Sequence, residues 1–121
     1  MQNYLSLKEY LLSKPESYLD HPFGDDVSVF KVKSKMFALI ARRNGKLMLN
    51  LKCDPLESVS LRDVFSSSIT EGYHMDKKHW ISIYFENDIP DSEVIRLIDN
   101  SYLLVVSKMR KKDQTSILLK L

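Results

Sequence analysis

Residues 37–53 read Phe37-Ala38-Leu39-Ile40-Ala41-Arg42-Arg43-Asn44-Gly45-Lys46-Leu47-Met48-Leu49-Asn50-Leu51-Lys52-Cys53, and they decide the fold. After Gly45 the chain alternates. Leu47, Leu49, Leu51 and Cys53 fall on one side, and Lys46, Met48, Asn50 and Lys52 on the other, the two-residue period of a half-buried strand. Phe37–Arg43 is apolar on both faces, as a covered central strand is. Asn44-Gly45 between them signals a type I′ hairpin, because both residues tolerate the positive φ that this turn requires. The stretch predicts an antiparallel pair and excludes a helix across residues 36–52.

On the N-terminal side, Val27–Lys33 alternates Phe30 and Val32 against Lys31 and Lys33, a third strand. The loop joining it to Phe37–Arg43 decides which face its lysines share. A two-residue loop at Ser34-Lys35 would set Lys31 and Lys33 on the face of Leu47 and Leu49. A three-residue loop, Ser34-Lys35-Met36, sets them beside Lys46, Met48 and Lys52, with Phe37 and Leu39 between. Burying two lysines among leucines is costly, so the three-residue loop is expected. Residues 15–26, with Pro15, Pro22, Gly24 and Asp25-Asp26, read as a loop. A helix over about residues 6–13 precedes it, opened by the capping box Ser6-Leu7-Lys8-Glu9, stapled by Leu5 and Tyr10, and closed by Pro15.

On the C-terminal side, Asp54-Pro55-Leu56-Glu57 starts a second helix with aspartate as N-cap and proline at its first position, over about residues 55–65. Leu56, Val59, Val64 and Phe65 supply its apolar face. Ile69–His74 and His79–Glu86 form a second hairpin across Met75–Lys78. A last helix runs from Pro90 to about Lys108 on Val94, Ile98, Tyr102, Val105 and Met109, with Asn100-Ser101 either interrupting or recapping it. The order is α-βββ-α-ββ-α, hence an α+β fold on an antiparallel sheet. Residues 110–121 read as a tail.

The chain has 121 residues, 44% hydrophobic and 28% charged, the balance of one globular domain spanning residues 1–121. The net charge of +2 by itself designates no partner. A single cysteine, Cys53, excludes an intramolecular disulfide and fits a reducing compartment. Residues 1–6 show neither the basic nor the apolar region of a signal peptide, and no apolar run approaches the roughly 20 residues of a membrane span. A cytoplasmic protein with no membrane partner is expected.

Several stretches resemble the MmcQ/YjbR-like family: Pro22-Phe23-Gly24, Phe30-Lys31-Val32-Lys33-Ser34-Lys35-Met36-Phe37-Ala38, Leu51-Lys52-Cys53-Asp54-Pro55, Gly72-Tyr73-His74-Met75-Asp76-Lys77-Lys78-His79-Trp80, and Ser101-Tyr102 with Leu104-Val105-Val106. Together they span residues 20–108 in the family's order, and the Gly72–Trp80 block is the most specific. Ser34 stands where the family usually has glycine, and the segment beyond Arg110 lies outside the resemblance. The resemblance implies a secretion-chaperone-like fold in α-β(3)-α-β(2)-α order. It also implies a proposed DNA-binding surface of paired, wing-like hairpins.

Charge distribution agrees with a polyanion partner. Lys31 to Lys52 holds seven basic residues and no acid, whereas Glu86–Asp99 holds five acids and one arginine. The expected DNA contacts are Lys33, Lys35, Arg42, Arg43 and Lys46 on one pair of hairpin tips, with Lys77 and Lys78 on the other. His74 and His79 support them as titratable cations below about pH 6.5, or else tie down the hairpin while Trp80 fills the core. The alternative is a protein-interaction module docking on Phe37, Leu39 and Met48. Cys53 shares the parity of Leu51, so a buried thiol is expected rather than a nucleophile. His74, His79 and Cys53 lack metal-ligand spacing, and no phosphate loop, carboxylate pair or serine triad stands out. No metal, cofactor or enzymatic activity is expected. The basic run Lys108–Lys112 suits a helix C-terminus.

Overall fold

Asn44 and Gly45 both take positive φ, 53° and 76°, and the flanking strands pair antiparallel from Arg43↔Lys46 to Ala38↔Leu51, as the Asn-Gly signal predicts. The computed structural model describes residues 2–87 and 89–120. Along them run α1 (Tyr4–Leu12), β1 (Ser17–Asp20), β2 (Ser28–Val32), β3 (Lys35–Arg43), β4 (Lys46–Lys52), α2 (Pro55–Val64), β5 (Ile69–Glu71), β6 (Trp80–Tyr84), α3 (Asp91–Ser107) and α4 (Lys111–Leu118). The strands form one antiparallel sheet in the order β1-β2-β3-β4-β6-β5. The α+β expectation holds, and two elements add to it: the edge strand β1 within the expected loop, and α4 within the expected tail. Among the described residues no helix is long and apolar enough to cross a membrane.

The helices cover one face of the sheet. Leu7 and Leu11 of α1, Leu61 of α2, seven side chains of α3 and Ile117 of α4 are buried. Most of them join Phe30, Val32, Ile40, Leu49, Leu51, Ile81 and Ile83 in one core cluster. Cys53 is in it too, as its parity predicts; burial and the nearby Glu57 and Asp54 carboxylates push its thiol up to about 12, so it is not a poised nucleophile. α3 is unbroken through Asn100-Ser101. Ser101 is fully buried, donates to Phe37 O at 2.6 Å and accepts from Lys52 N at 2.9 Å, which gives the hydroxyl two strand partners instead of a helix-breaking role.

The β2–β3 connection corrects the loop prediction. Val32 pairs with Lys35, so the turn is Lys33-Ser34, with φ of 49° and 63°. A lysine and a serine thus adopt the left-handed pair that the β2–β3 pairing imposes, without glycine. The residue needed to reverse parity sits in the strand instead: Phe30 pairs with Ala38 but Lys31 pairs with Met36, a bulge at Phe37. Phe37 and Ala38 therefore both belong to the helix-side core, where Phe37 meets the Tyr102 ring edge-on at 5.3 Å. Phe37 is not on the outer face with Leu39.

Two helix predictions are also corrected. The N-cap of α1 is Asn3, whose side chain accepts from Ser6 N at 2.9 Å, and Ser6 lies inside the helix. Starting there leaves Leu5 73% exposed, so no staple forms, but lets Tyr4 OH reach Ser28 Oγ at 2.9 Å. In α2 the Asp54 cap is as expected, accepting from Leu56 N at 2.9 Å. The buried side is Ser58 and Leu61, with Phe65 beyond, while Leu56, Val59 and Val64 are 81%, 58% and 70% exposed. Small Ser58 lets that side approach closely, and the helix turns its larger aliphatic residues outward.

Candidate functional site

The basic residues divide between two ends of the sheet. β3 carries nine residues, so its ends stand roughly 26 Å apart at about 3.3 Å per residue. Lys33 and Lys35 are at its start. Arg42, Arg43 and Lys46 are at its finish, around the Asn44-Gly45 turn. The predicted grouping of these five on one pair of tips is therefore corrected, because consecutive hairpins of a meander turn at opposite ends. The Gly72–His79 segment leads into Trp80, which pairs with Lys52 at the end of β4. Lys77 and Lys78 thus share an end with Lys33, Lys35 and Lys52.

At the Arg42 end most charges are engaged. Lys46 pairs with Glu86 at 3.1 Å. Arg43 donates to Tyr84 OH at 3.1 Å and lies 3.9 Å over the Tyr73 ring, contacts that raise its already high pKa. Arg42 makes one long contact, 3.4 Å, to Gly45 O. At the other end Lys33 pairs with Glu16 at 2.9 Å, and Glu16 also holds Lys120 at 3.1 Å. Hydrogen bonds from these two lysines pull the Glu16 carboxyl down to about 2. Lys77 donates to Gly72 O at 3.2 Å. Among the described residues Lys35, Lys52 and Lys78 have no ion-pair partner.

Of the two histidines, His79 ties down the turn by a hydrogen bond and His74 makes a ring contact instead. His79 Nδ1 meets Asp76 Oδ2 at 2.8 Å, and Lys78 N donates to Asp76 Oδ1 at 3.0 Å, so one aspartate organises the whole turn and its own carboxyl is lowered. His74 takes φ 60° with its ring 4.1 Å from that of Tyr73. Trp80 is 8% exposed, and a Cβ on Gly72 would stand 2.7 Å from Trp80 Cβ, so glycine is required where these segments meet. Cys53 faces the helices, away from His74 on the outer face. Among the described residues no three ligand-type side chains gather for a metal.

Sequence reasoning missed the outer face as a built surface. Val29, Leu39 and Met48 are buried there, flanked by Val27, Met36, Ala41, Tyr73 and Tyr84. They are covered by loops rather than by a helix. That burial leaves the residues of the expected protein-docking face little surface for a partner protein: Phe37, Leu39 and Met48 are 0%, 7% and 3% exposed. Asn50, also buried, donates to Tyr73 O at 3.2 Å and accepts from Ser82 Oγ at 2.5 Å, while Ser82 Oγ accepts from Tyr73 N at 2.9 Å. That network holds Tyr73 across the sheet. Its signal in the sequence is a lone asparagine at an outward parity.

The comparisons with known proteins agree with this architecture. The YjbR family model matches residues 12–104. YbdF of Escherichia coli O157:H7 is 40% identical over 107 residues, 88% of this chain and 87% of the relative. YyaQ of Bacillus subtilis (strain 168) is 49% identical over 57 residues, 47% of each chain. The crystal structure of a Deinococcus radiodurans protein with a DUF419 domain has a TM-score of 0.89 at 35% identity, over 97% of this chain and 88% of that one. A Pseudomonas syringae protein has a TM-score of 0.73 at 28% identity, over 84% of this chain and 97% of that one. Sequence and fold lead to one assignment: the chain belongs to the YjbR family.

Proposed function

We propose that this protein binds DNA through the phosphate backbone, from one end of the sheet, with weak sequence preference. One observation carries the reading: cations from three separate segments share that end, Lys35 beside the β2–β3 turn, Lys52 at the end of β4, and Lys77 and Lys78 before β6. Two tips with a lysine between them suit successive phosphates. Flexible lysines at turns meet backbone rather than base edges. Lys33 adds to the set when phosphate displaces Glu16, an exchange open to it because the pair is only partly buried. Arg42, Arg43 and Lys46 fall outside the contact.

Reversing Lys35, Lys52, Lys77 and Lys78 to glutamate should abolish binding to duplexes of any sequence, with far-UV CD unchanged. Reversing Arg42 and Lys46 should leave affinity nearly intact. About four phosphate contacts predict a slope of log K against log salt of roughly −3 to −4. Wild-type protein that ignores DNA at low salt, or whose binding does not weaken as salt rises, would defeat the reading. A second reading, a protein-interaction module, rests on the outward Leu56 and Val59 of α2. They line a groove with Lys77, Lys78 and His79 that suits an acidic partner bearing apolar side chains. Leu56→Ser with Val59→Ser would break that contact and spare DNA binding.

A further inference from the structure

The outer face carries a cavity of about 520 Å³, opened between the loop before β2 and the segment after β5. The sheet lines it with Met36, Leu39, Met48 and Asn50. Phe23 comes from the first loop, and Tyr73 and Met75 from the second segment. A volume in this range, mostly apolar walls and a few fixed polar groups are the marks of a small-molecule site. We propose that the cavity binds a planar aromatic molecule of one or two rings that carries a hydrogen-bond acceptor. The proposal is independent of DNA contact, because the cavity lies on the face of the sheet and not at its end.

Three side-chain properties select that ligand class. Met36, Met48 and Met75 are three of the five methionines in the chain, and thioethers adapt to and attract flat aromatic rings. Phe23 is 66% exposed yet lines the cavity, a large aromatic surface left without a full partner inside the protein. Arg42 reaches only the rim, since it pairs with Leu47 and its side chain lies on the helix side while Arg43 rests on Tyr73; with no Asp or Glu in the lining among the described residues, the walls select by ring shape rather than by charge. Asn50 adds orientation. Its Nδ2 gives one N–H to Tyr73 O, its Oδ1 accepts from Ser82, and the second N–H of the amide remains for an acceptor on the ligand. Three stretches that carry the family resemblance, Pro22–Gly24, Phe30–Ala38 and Gly72–Trp80, are distant in sequence and each contributes to this one lining.

The test is methyl NMR on the whole protein labelled at methionine, titrated with 2-naphthoate and, separately, with neutral 2-naphthamide. Naphthoate should shift the methyls of Met36, Met48 and Met75 along one saturable curve while that of Met109, packed against the helix-side core, stays fixed. Arg42→Gln, whose side chain lies on the opposite side of the strand, should leave both affinities unchanged. Met75→Glu, on a loop that tolerates the change, should abolish naphthoate binding. Methyls that do not move at millimolar probe, or that move together with Met109, overturn the site. Cyclohexanecarboxamide bound as tightly as naphthamide overturns the ligand class.

Discussion

The two faces of the sheet bury apolar side chains by different means. On the inner face Phe30, Leu49, Leu51, Ile81 and Ile83 are sealed under four helices with no exposed surface. On the outer face Val29, Leu39 and Met48 are covered by two loops that leave a cavity between them. The inner face is a product of helix amphipathicity and is filled to completion. The outer face is held by a polar network, Asn50, Ser82 and Tyr73, and by Arg43 resting on Tyr73. A surface kept partly open in this way costs stability that a covering helix would have supplied, which is the mark of a surface with another use.

The sharpest way to break this contrast is to truncate one leucine on each face. Leu49→Ala should cost about 3–5 kcal/mol in urea unfolding, since the inner face cannot collapse around the void. Leu39→Ala should cost under about 2 kcal/mol, because it enlarges a cavity already open to water. Equal losses would mean that the faces are packed alike. An intermediate effect is expected at Ser101→Ala, which removes the link from α3 to Phe37 O and Lys52 N. It should cost about 1–3 kcal/mol by leaving buried backbone groups unpaired. Loss near zero would show that water replaces the hydroxyl.

The smallest effect concerns pH. Glu16 has its folded pKa lowered from 4.5 to about 2 by Lys33 and Lys120, so its stabilising contribution is complete above about pH 4.5 and fades as pH falls toward 2. The thermal midpoint of wild type should therefore drop more between pH 5 and pH 2 than that of Glu16→Gln. Parallel curves would mean that the clasp contributes nothing in solution, as many exposed ion pairs do.

Much of the fold was legible because its signals are local. Asn44-Gly45, the alternation of Leu47 to Cys53 and the Asp54-Pro55 cap each depend on few residues, and each is where it was expected. The parity argument for Lys31 was sound, yet the extra residue was assigned to the loop. Phe37 and Ala38 are both apolar, so a bulge between them leaves no polar residue out of place to betray it. β1 escaped notice because a four-residue edge strand, Ser17–Asp20, offers too short a pattern to separate from a loop. The outward face of α2 defeated hydrophobic counting, since a buried serine decided its orientation. For the site, charge along the sequence identified the cations but not their distribution. Lys35 and Arg43 are close in a list of residues and far apart on opposite ends of one strand. Which cations were already occupied depended on Glu16, Glu86 and Tyr73, partners that no local pattern announces.

The strand order has a consequence for how the chain is made. β1 to β4 pair with sequence neighbours and can assemble as they emerge. The free edge of β4, however, is completed by β6, where Met48 meets Tyr84 across 36 residues. Until that later segment leaves the ribosome, a nascent four-stranded meander presents an unpaired edge and the apolar side chains of Leu49 and Leu51 to solvent or to a chaperone. At about 5–20 residues per second this interval lasts some seconds, and it is the period in which the protein is most open to mispairing with another copy of itself.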